Sequence, residues 1–342
     1  MSQFAPAAHH PVVVVLGARG RFGAAAVDAF AAAGWQVKAQ CRPGRAPVDV
    51  RPAVSWITAD VHDLAGLRHA VGAADVVVHA MNPPYTAAAW ATEAPALMRA
   101  AIDAACALGA MLMFPGNVYN FGAAMPERLT EDTLQQPTTA KGRIRVALEA
   151  QLMAAAQHRG LKSVVVRAGD FFGSGRGSWF DQVIVKKIAQ GRITYPGGLD
   201  TPTAWAYLPD LARAFVKVAG RRDALGGVTT LHFGGYTLTG RDWVDVLTPL
   251  AREHGGLAVG AALKVGGLPW PMLRVGGLLL PTWASLAEMR YLWRTPHRLD
   301  NRRLTELVGQ EPHTAFSDAV RTALTSLHGQ TMLRVGQPAA QR

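Results

Sequence analysis

Val12 to Leu16 is an unbroken apolar run rich in β-branched residues. That is the pattern of a central parallel strand buried on both faces. Glycines from Gly17 to Gly23 interrupt it. Ala24 to Ala33 then places small apolar residues at helical spacing and stops at Gly34, a residue that ends helices. Gln36 to Gln40 predicts a second strand, so the first forty residues spell one βαβ unit. The alternation continues with predicted strands at Val54–Thr58, Asp75–His79, Met111–Phe114 and Ser163–Arg167. Between them lie predicted helices at Leu64–Val71, Pro95–Leu108 and Gly142–His158, with Pro95 suited to a first turn. Repeated alternation predicts an α/β fold: a doubly wound parallel sheet with helices on both faces.

Beyond about Gly169 the pattern changes. Gly and Pro become dense, as in Phe172-Gly-Ser-Gly-Arg-Gly177. Asp210 is placed to N-cap a helix from Leu211 to Ala219, and Val228 to Phe233 predicts one more strand. From Thr239 the chain is mainly helical. The expected organisation is a nucleotide-binding domain over 1–170, with 205–235 returning to it. A smaller substrate lobe is expected from 171–204 and 236–342. Leu268 to Ala287 is apolar, but Pro269, Pro271, Arg274 and Pro281 argue against a spanning helix. A buried or lid-like segment is expected there, with membrane-surface contact as the alternative.

A length of 342 residues suits two lobes. The net charge of +11 raises the question of an anionic partner. The basic residues are scattered, and nucleic-acid motifs are absent, so no nucleic-acid partner is expected. Cys41 and Cys106 are the only cysteines. They form no disulfide framework and no metal-binding pattern, so no metal is expected. With no basic, apolar leader in the opening residues, a cytoplasmic protein is the expectation.

Gly17-Ala-Arg-Gly20-Arg-Phe-Gly23 is a GxxGxxG turn between a strand and a helix. The first glycine permits the tight turn, the second admits a pyrophosphate, and the third lets helix and strand pack closely. The helix N-terminus then offers N–H groups and a positive dipole to phosphates. This context predicts a Rossmann domain holding a dinucleotide. NAD binders usually place a carboxylate at the end of the second strand. Here Val37-Lys-Ala-Gln40-Cys-Arg42 has none. Arg42 and Arg19 can grip a 2′-phosphate, so NADP(H) is expected in preference to NAD(H).

Several segments resemble the extended short-chain dehydrogenase/reductase superfamily, which includes nucleotide-sugar epimerases and dehydratases. They are the glycine turn, Ala59-Asp60-Val61, Asp75-Val-Val-Val-His79-Ala80, Val118-Tyr119-Asn-Phe-Gly122, Arg167-Ala-Gly-Asp-Phe-Phe-Gly173 and Tyr207-Leu-Pro-Asp210-Leu-Ala-Arg-Ala214. The resemblance spans most of residues 12 to 235. It implies a cofactor lying along Gly17, Arg19, Gly20, Arg21, Phe22 and Gly23. Arg42, Asp60, Val61, Ala80, Met81, Asn82, Arg145 and Ala168 complete the implied contacts. Relatives often pair through helices flanking the active site, so a homodimer is a fair default.

The departure from the superfamily carries as much information. Its members work with Ser, Tyr and Lys. The strand here ends Met113-Phe-Pro-Gly-Asn117-Val-Tyr119, without Ser. Anchoring the next helix on Glu149 puts Arg145 at the Lys position and Lys141 at the Tyr position. The other register makes Lys141 the Lys and Pro137 the Tyr. Neither supplies a Tyr. Lys141 and Arg145 are neighbours on one helical face, a like-charge pair that an anion would relieve. Lys141 is the candidate proton donor or base. Asn117 is a candidate donor to a substrate carbonyl, and Tyr119 is the nearest phenol in sequence. Asp170 is a further proton-transfer candidate. His79 reads as structural, and Asn82-Pro-Pro-Tyr85 as a pocket wall. Trp179, Trp205 and Tyr207 fit an aromatic site or a packed core equally. The expected function is an NADP(H)-dependent oxidoreductase acting on a small organic substrate, an anionic one included. The alternatives are a non-redox epimerase, dehydratase or isomerase, and a catalytically silent NADP(H)-sensing module.

Overall fold

The computed structural model describes residues 10–44, 47, 49–253 and 255–335. In chain order the elements begin β1 (Val12–Leu16), α1 (Arg21–Ala32), β2 (Gln36–Cys41), β3 (Val54–Thr58), α2 (Leu64–Val71), β4 (Val76–His79) and α3 (Ala87–Leu108). Next come β5 (Met111–Asn117), β6 (Arg128–Leu129), α4 (Ala140–Arg159), β7 (Ser163–Ala168), β8 (Asp170–Phe172), β9 (Arg192–Tyr195), β10 (Thr203–Tyr207) and α5 (Leu208–Ala219). The chain closes with β11 (Val228–His232), β12 (Tyr236–Leu238), α6 (Gly240–Glu253), β13 (Lys264–Gly267), α7 (Trp270–Gly276), α8 (Pro281–Ala287), β14 (Arg298–Leu299), α9 (Arg302–Val308) and α10 (Phe316–Val335).

Seven strands form one sheet in the order β11-β7-β5-β4-β1-β2-β3, and every pairing in it is parallel. The strand order reverses between β1 and its neighbours β2 and β4. In open sheets of this kind a crevice opens beyond the strand C-termini at that reversal. One face of the sheet packs on α1 and α5 through Phe22, Phe30 and Phe215. The other packs on α2, α3 and α4 through Leu67, Met98 and Leu152. Outside this sheet are the two short pairs β9–β13 and β6–β14 and the three-stranded sheet β8-β10-β12. There Phe172, Phe180, Trp205 and Trp243 form a shared aromatic core. Trp205 is a core residue, its Nε1 donating to Thr203 Oγ1 at 3.0 Å.

Four expectations are corrected. First, α3 starts at Ala87 rather than Pro95, because the Thr86 hydroxyl accepts from Ala89 N and caps the helix. Pro95 sits inside the helix. Second, β5 runs on through Pro115 to Asn117, paired with β7. Its ladder with β4 stops at Met113, so the proline interrupts nothing on that side. Third, α5 begins at Leu208, and Asp210 lies in its first turn instead of capping it. The Asp210 carboxylate accepts from Thr314 N and Oγ1, both at 2.7 Å, and tethers the chain ahead of α10. Fourth, the 268–287 segment is only partly buried, through Trp270, Leu273 and Ser285. It forms α7 and α8, with Leu278 and Leu279 85% and 86% exposed. No helix among the described residues is long and apolar enough to cross a membrane.

Candidate functional site

The glycine turn follows β1 at the strand reversal. Gly17 has φ +77°, and a Cβ there would meet Met81 at 2.9 Å. A Cβ on Gly23 would meet Gly17 O at 2.3 Å, so α1 lies against the turn as only glycine allows. No side chain caps α1, whose first-turn N–H groups open toward the crevice. This cradle fits a pyrophosphate. Ala80 and Met81 follow β4 beside it, and Asn82 is exposed. Ala168 closes β7 opposite Asn117. Val61 is buried against Leu16 and Ile57, while Asp60 turns its carboxylate to His62 N at 3.0 Å.

Gln40, not singled out from sequence, locks this turn. Its Oε1 accepts from Gly17 N at 2.9 Å and its Nε2 donates to Ala59 O at 2.7 Å. It takes the place at the end of β2 where a carboxylate was sought. Arg42, just beyond, is exposed. Arg19 is also exposed, and its charge reaches Cys41, drawing down a thiol pKa that burial pushes up.

Two of the expected cofactor residues have other work for their side chains. Phe22 is buried, with its ring 4.8 Å from that of Phe215. Arg21 donates Nη2 to Phe171 O and Gly173 O, each at 3.2 Å, and Ser174 Oγ returns a bond to Arg21 O at 2.8 Å. Its guanidinium tethers α1 to β8 and the residue that follows it.

The polar residues expected in place of Ser, Tyr and Lys gather at the ends of β4, β5 and β7. Asn117 is buried and accepts from Tyr119 N at 3.0 Å, capping the short turn Val118–Phe121. Its Oδ1 is therefore taken, and its Nδ2 is the group left to donate. The first turn of α4 packs on this corner so closely that a Cβ on Gly142 would meet Tyr119 O at 2.5 Å. Lys141 is fully buried, 3.1 Å from Glu288 Oε2 and 4.7 Å from the centre of the Tyr85 ring. Glu288 Oε1 also accepts from Ala140 N and Lys141 N, so it caps α4 from a distant segment. No sequence signal marked Glu288.

Arg145, one turn on, donates Nη1 to Pro115 O at 3.2 Å. Its guanidinium lies between Trp90 and Phe114, and its buried Nε has no partner among the described residues. An unmet donor at this place fits a ribose hydroxyl. His79, Asn82, Trp90 and Arg145 line a cavity of about 10 Å³, room for a single water. His79 is stacked on Phe114, and burial holds its pKa down to about 3, so it is a neutral structural imidazole.

Asp170 opens β8, two residues past the end of β7 and beside carbonyls that Arg21 fixes. It accepts no hydrogen bond among the described residues, and burial alone pushes its carboxyl up to about 7. Its charge is felt by Tyr85, Tyr119, Tyr195 and Tyr291. Burial raises the Tyr119 phenol too, with Tyr85 and Asp170 adding to the effect. Behind this corner, Glu149 binds Arg167 by two bonds, Nε to Oε1 at 3.1 Å and Nη2 to Oε2 at 2.6 Å. A larger recess of about 820 Å³ lies between α1, α5 and α10, and none of Asn117, Lys141 or Arg145 lines it.

Residues 13–230 match the model of the NAD dependent epimerase/dehydratase family. No curated protein matches the chain. Among solved structures, the fold is similar to that of UDP-glucuronic acid 4-epimerase from Bacillus cereus in complex with NAD. That match has TM-score 0.72 and 15% identity, covering 93% of this chain and 99% of the other. UDP-glucose 4-epimerase from Brucella ovis in complex with NAD gives TM-score 0.68 and 16% identity over 92% and 97%. The dTDP-glucose 4,6-dehydratase of Streptomyces venezuelae gives 0.70 and 16% over 94% and 98%. With a family match over well over half its length and a glycine cradle built for a dinucleotide, the chain belongs to the NAD-dependent epimerase/dehydratase family.

Proposed function

We propose that this protein is an NADP(H)-dependent oxidoreductase acting on a small organic substrate, an anionic one included. One observation carries the reading. Asn117, Lys141, Tyr119 and Arg145 converge at the strand ends beside the cofactor cradle, although the usual Ser, Tyr and Lys are absent. When bound, the nicotinamide supplies or accepts the hydride. Asn117 Nδ2 donates to the substrate oxygen. Arg145 keeps its charge and holds the ribose side of the site. Lys141 is the proton partner; its ammonium is dry, and Glu288, with a side chain 20% exposed, links it to solvent. Tyr119 stands beside them and shapes the corner.

The preference for NADP(H) rests on Arg19 and Arg42 and on the absence of a carboxylate at the end of β2 that would repel a phosphate. All three similar structures hold NAD, so the proposed preference rests on residues particular to this chain. Titration with NADPH and NADH, followed by nicotinamide fluorescence, tests it. Tighter NADPH binding that Arg42→Ala weakens supports the reading; stronger NADH binding defeats it. Binding without turnover in a substrate screen favours the sensing module.

A second reading has the family itself in its favour. Epimerisation or dehydration would use the bound cofactor transiently, with no net redox. Turnover with catalytic rather than stoichiometric cofactor would select it.

A further inference from the structure

The hairpin of α7 and α8 carries an apolar tip that nothing else in the described chain covers. Its base is firm. Trp270 is buried and donates Nε1 to Pro196 O at 2.7 Å, and Leu273 is buried beside it. The helices meet so closely that a Cβ on Gly276 would lie 2.5 Å from the Trp283 ring and one on Gly277 2.9 Å from Ala284. The tip nevertheless faces out. Val275 is 69% exposed, Leu278 85% and Leu279 86%, with Met272, Leu280 and Val265 also exposed. Of the ten exposed large apolar residues among the described residues, these six fall within residues 265–280, so they cluster on one stretch of chain. Such patches mark contact surfaces.

Charge selects the partner. Residues 255–287 contain Lys264 and Arg274 and no Asp or Glu. Arg290 follows, its guanidinium 5.8 Å from the Trp270 ring. Glu288, the next acid in sequence, is turned inward to Lys141. A second copy of the chain docked tip to tip would set Arg274 and Lys264 against their own kind, with no carboxylate in the patch to pair them. A negatively charged lipid surface complements both the apolar tip and its basic flanks. Each helix has seven residues, far too few to cross a bilayer. A short hairpin lying in the interface plane is the geometry that remains.

We propose that the α7–α8 tip seats this protein on an anionic membrane surface. Val275, Leu278 and Leu279 enter the acyl boundary, and Lys264, Arg274 and Arg290 meet the headgroups. The hairpin runs directly into Glu288, so the docking element and the Lys141 site share one stretch of chain.

The test is co-sedimentation of the purified full chain with vesicles of phosphatidylcholine alone and of phosphatidylcholine mixed with phosphatidylglycerol. The parent should bind the mixed vesicles at least ~10-fold more tightly than the neutral ones. L278S/L279S changes side chains already in water, so the fold stays, and binding should fall by at least ~10-fold. R274E should weaken binding to the mixed vesicles alone. Absence of binding to the mixed vesicles, equal binding to both vesicle types, or unaltered binding by L278S/L279S would each overturn the proposal. A parent dimer in solution that L278S/L279S converts to monomer would overturn it as well, in favour of a second copy on the tip.

Discussion

Lys141 and Glu288, far apart in sequence, meet as an ion pair at 3.1 Å where the segment after α8 packs on the N-terminus of α4. The ammonium is fully buried while the carboxylate keeps a view of water. Removing one charge leaves the other stranded in a dry place. Glu288→Gln keeps an oxygen for the helix N–H groups and deletes only the charge. It should cost about 2 kcal/mol, less than a fully buried pair because Glu288 is partly solvated. The expected fall in Tm is roughly 3 °C. The double variant K141M/E288Q should recover part of the loss, since neither charge is then unpaired. A double variant less stable than E288Q alone would show that Lys141 is held by something other than Glu288.

Gln40 gives a second test, centred on the cradle. Its amide is buried and uses both ends, toward Gly17 N and Ala59 O. Gln40→Glu would set an acceptor against the Ala59 carbonyl. An unmet buried carbonyl and a repelled carboxylate should cost about 2 kcal/mol. Affinity for both NADPH and NADH should fall as the turn loosens. Calorimetric melts together with cofactor titration would check it; a stable variant with loss of NADPH binding alone would mean that Gln40 acts on the phosphate and not on the turn.

The sheet was legible because its strands are buried on both faces, and Val12–Leu16 and Val76–Val78 are apolar throughout. Glycine chemistry marked the cradle, because Gly17 and Gly23 answer a local backbone demand. What escaped depends on contacts between distant segments. Glu288 carries no local signal, and its role exists only once the segment after α8 packs on α4. Arg21 has the position of a phosphate ligand, but it spends its donors on Phe171 and Gly173, about 150 residues away in the chain. Pro95 misleads because proline favours a helix's first turn, whereas here it sits inside α3 and the start is the Thr86 cap.

Stability should depend on pH through groups of opposite sign. Asp170 is raised from 3.8 to about 7, so between those values the folded chain holds a proton that the unfolded chain has lost. Asp170 therefore makes stability fall as pH rises through that window. His79 and His232 are held near 3, and His297 near 4, chiefly by burial. They stay neutral in the fold while the unfolded chain protonates them below about 6.5, so they make stability fall as pH drops. Three imidazoles outweigh one carboxyl, and a net loss on acidification is expected. Asp170→Asn should be about 2 kcal/mol more stable than the parent at high pH, discounted for partial solvation. That advantage should vanish at low pH. Thermal melts across the range decide the matter; an equal gain at every pH would show that this carboxyl does not titrate.

Arg21 and Arg42 separate structure from recognition. Arg21 joins α1 to β8 and the residue that follows it through two carbonyls, and its guanidinium is largely shielded from water. Arg42 is exposed just past β2, where a 2′-phosphate would lie. Arg21→Ala leaves Phe171 O and Gly173 O without that donor and frees the backbone around Asp170. It should lower stability by about 1–3 kcal/mol and weaken NADPH and NADH binding alike. Arg42→Ala should leave the melt unchanged and weaken NADPH alone, by roughly 10-fold or more for a lost charge-assisted contact to phosphate. Melting curves paired with titrations of both nucleotides distinguish the two. Selective NADPH loss in the Arg21 variant would place the phosphate on α1, and the tether would then be a resting contact that the cofactor displaces.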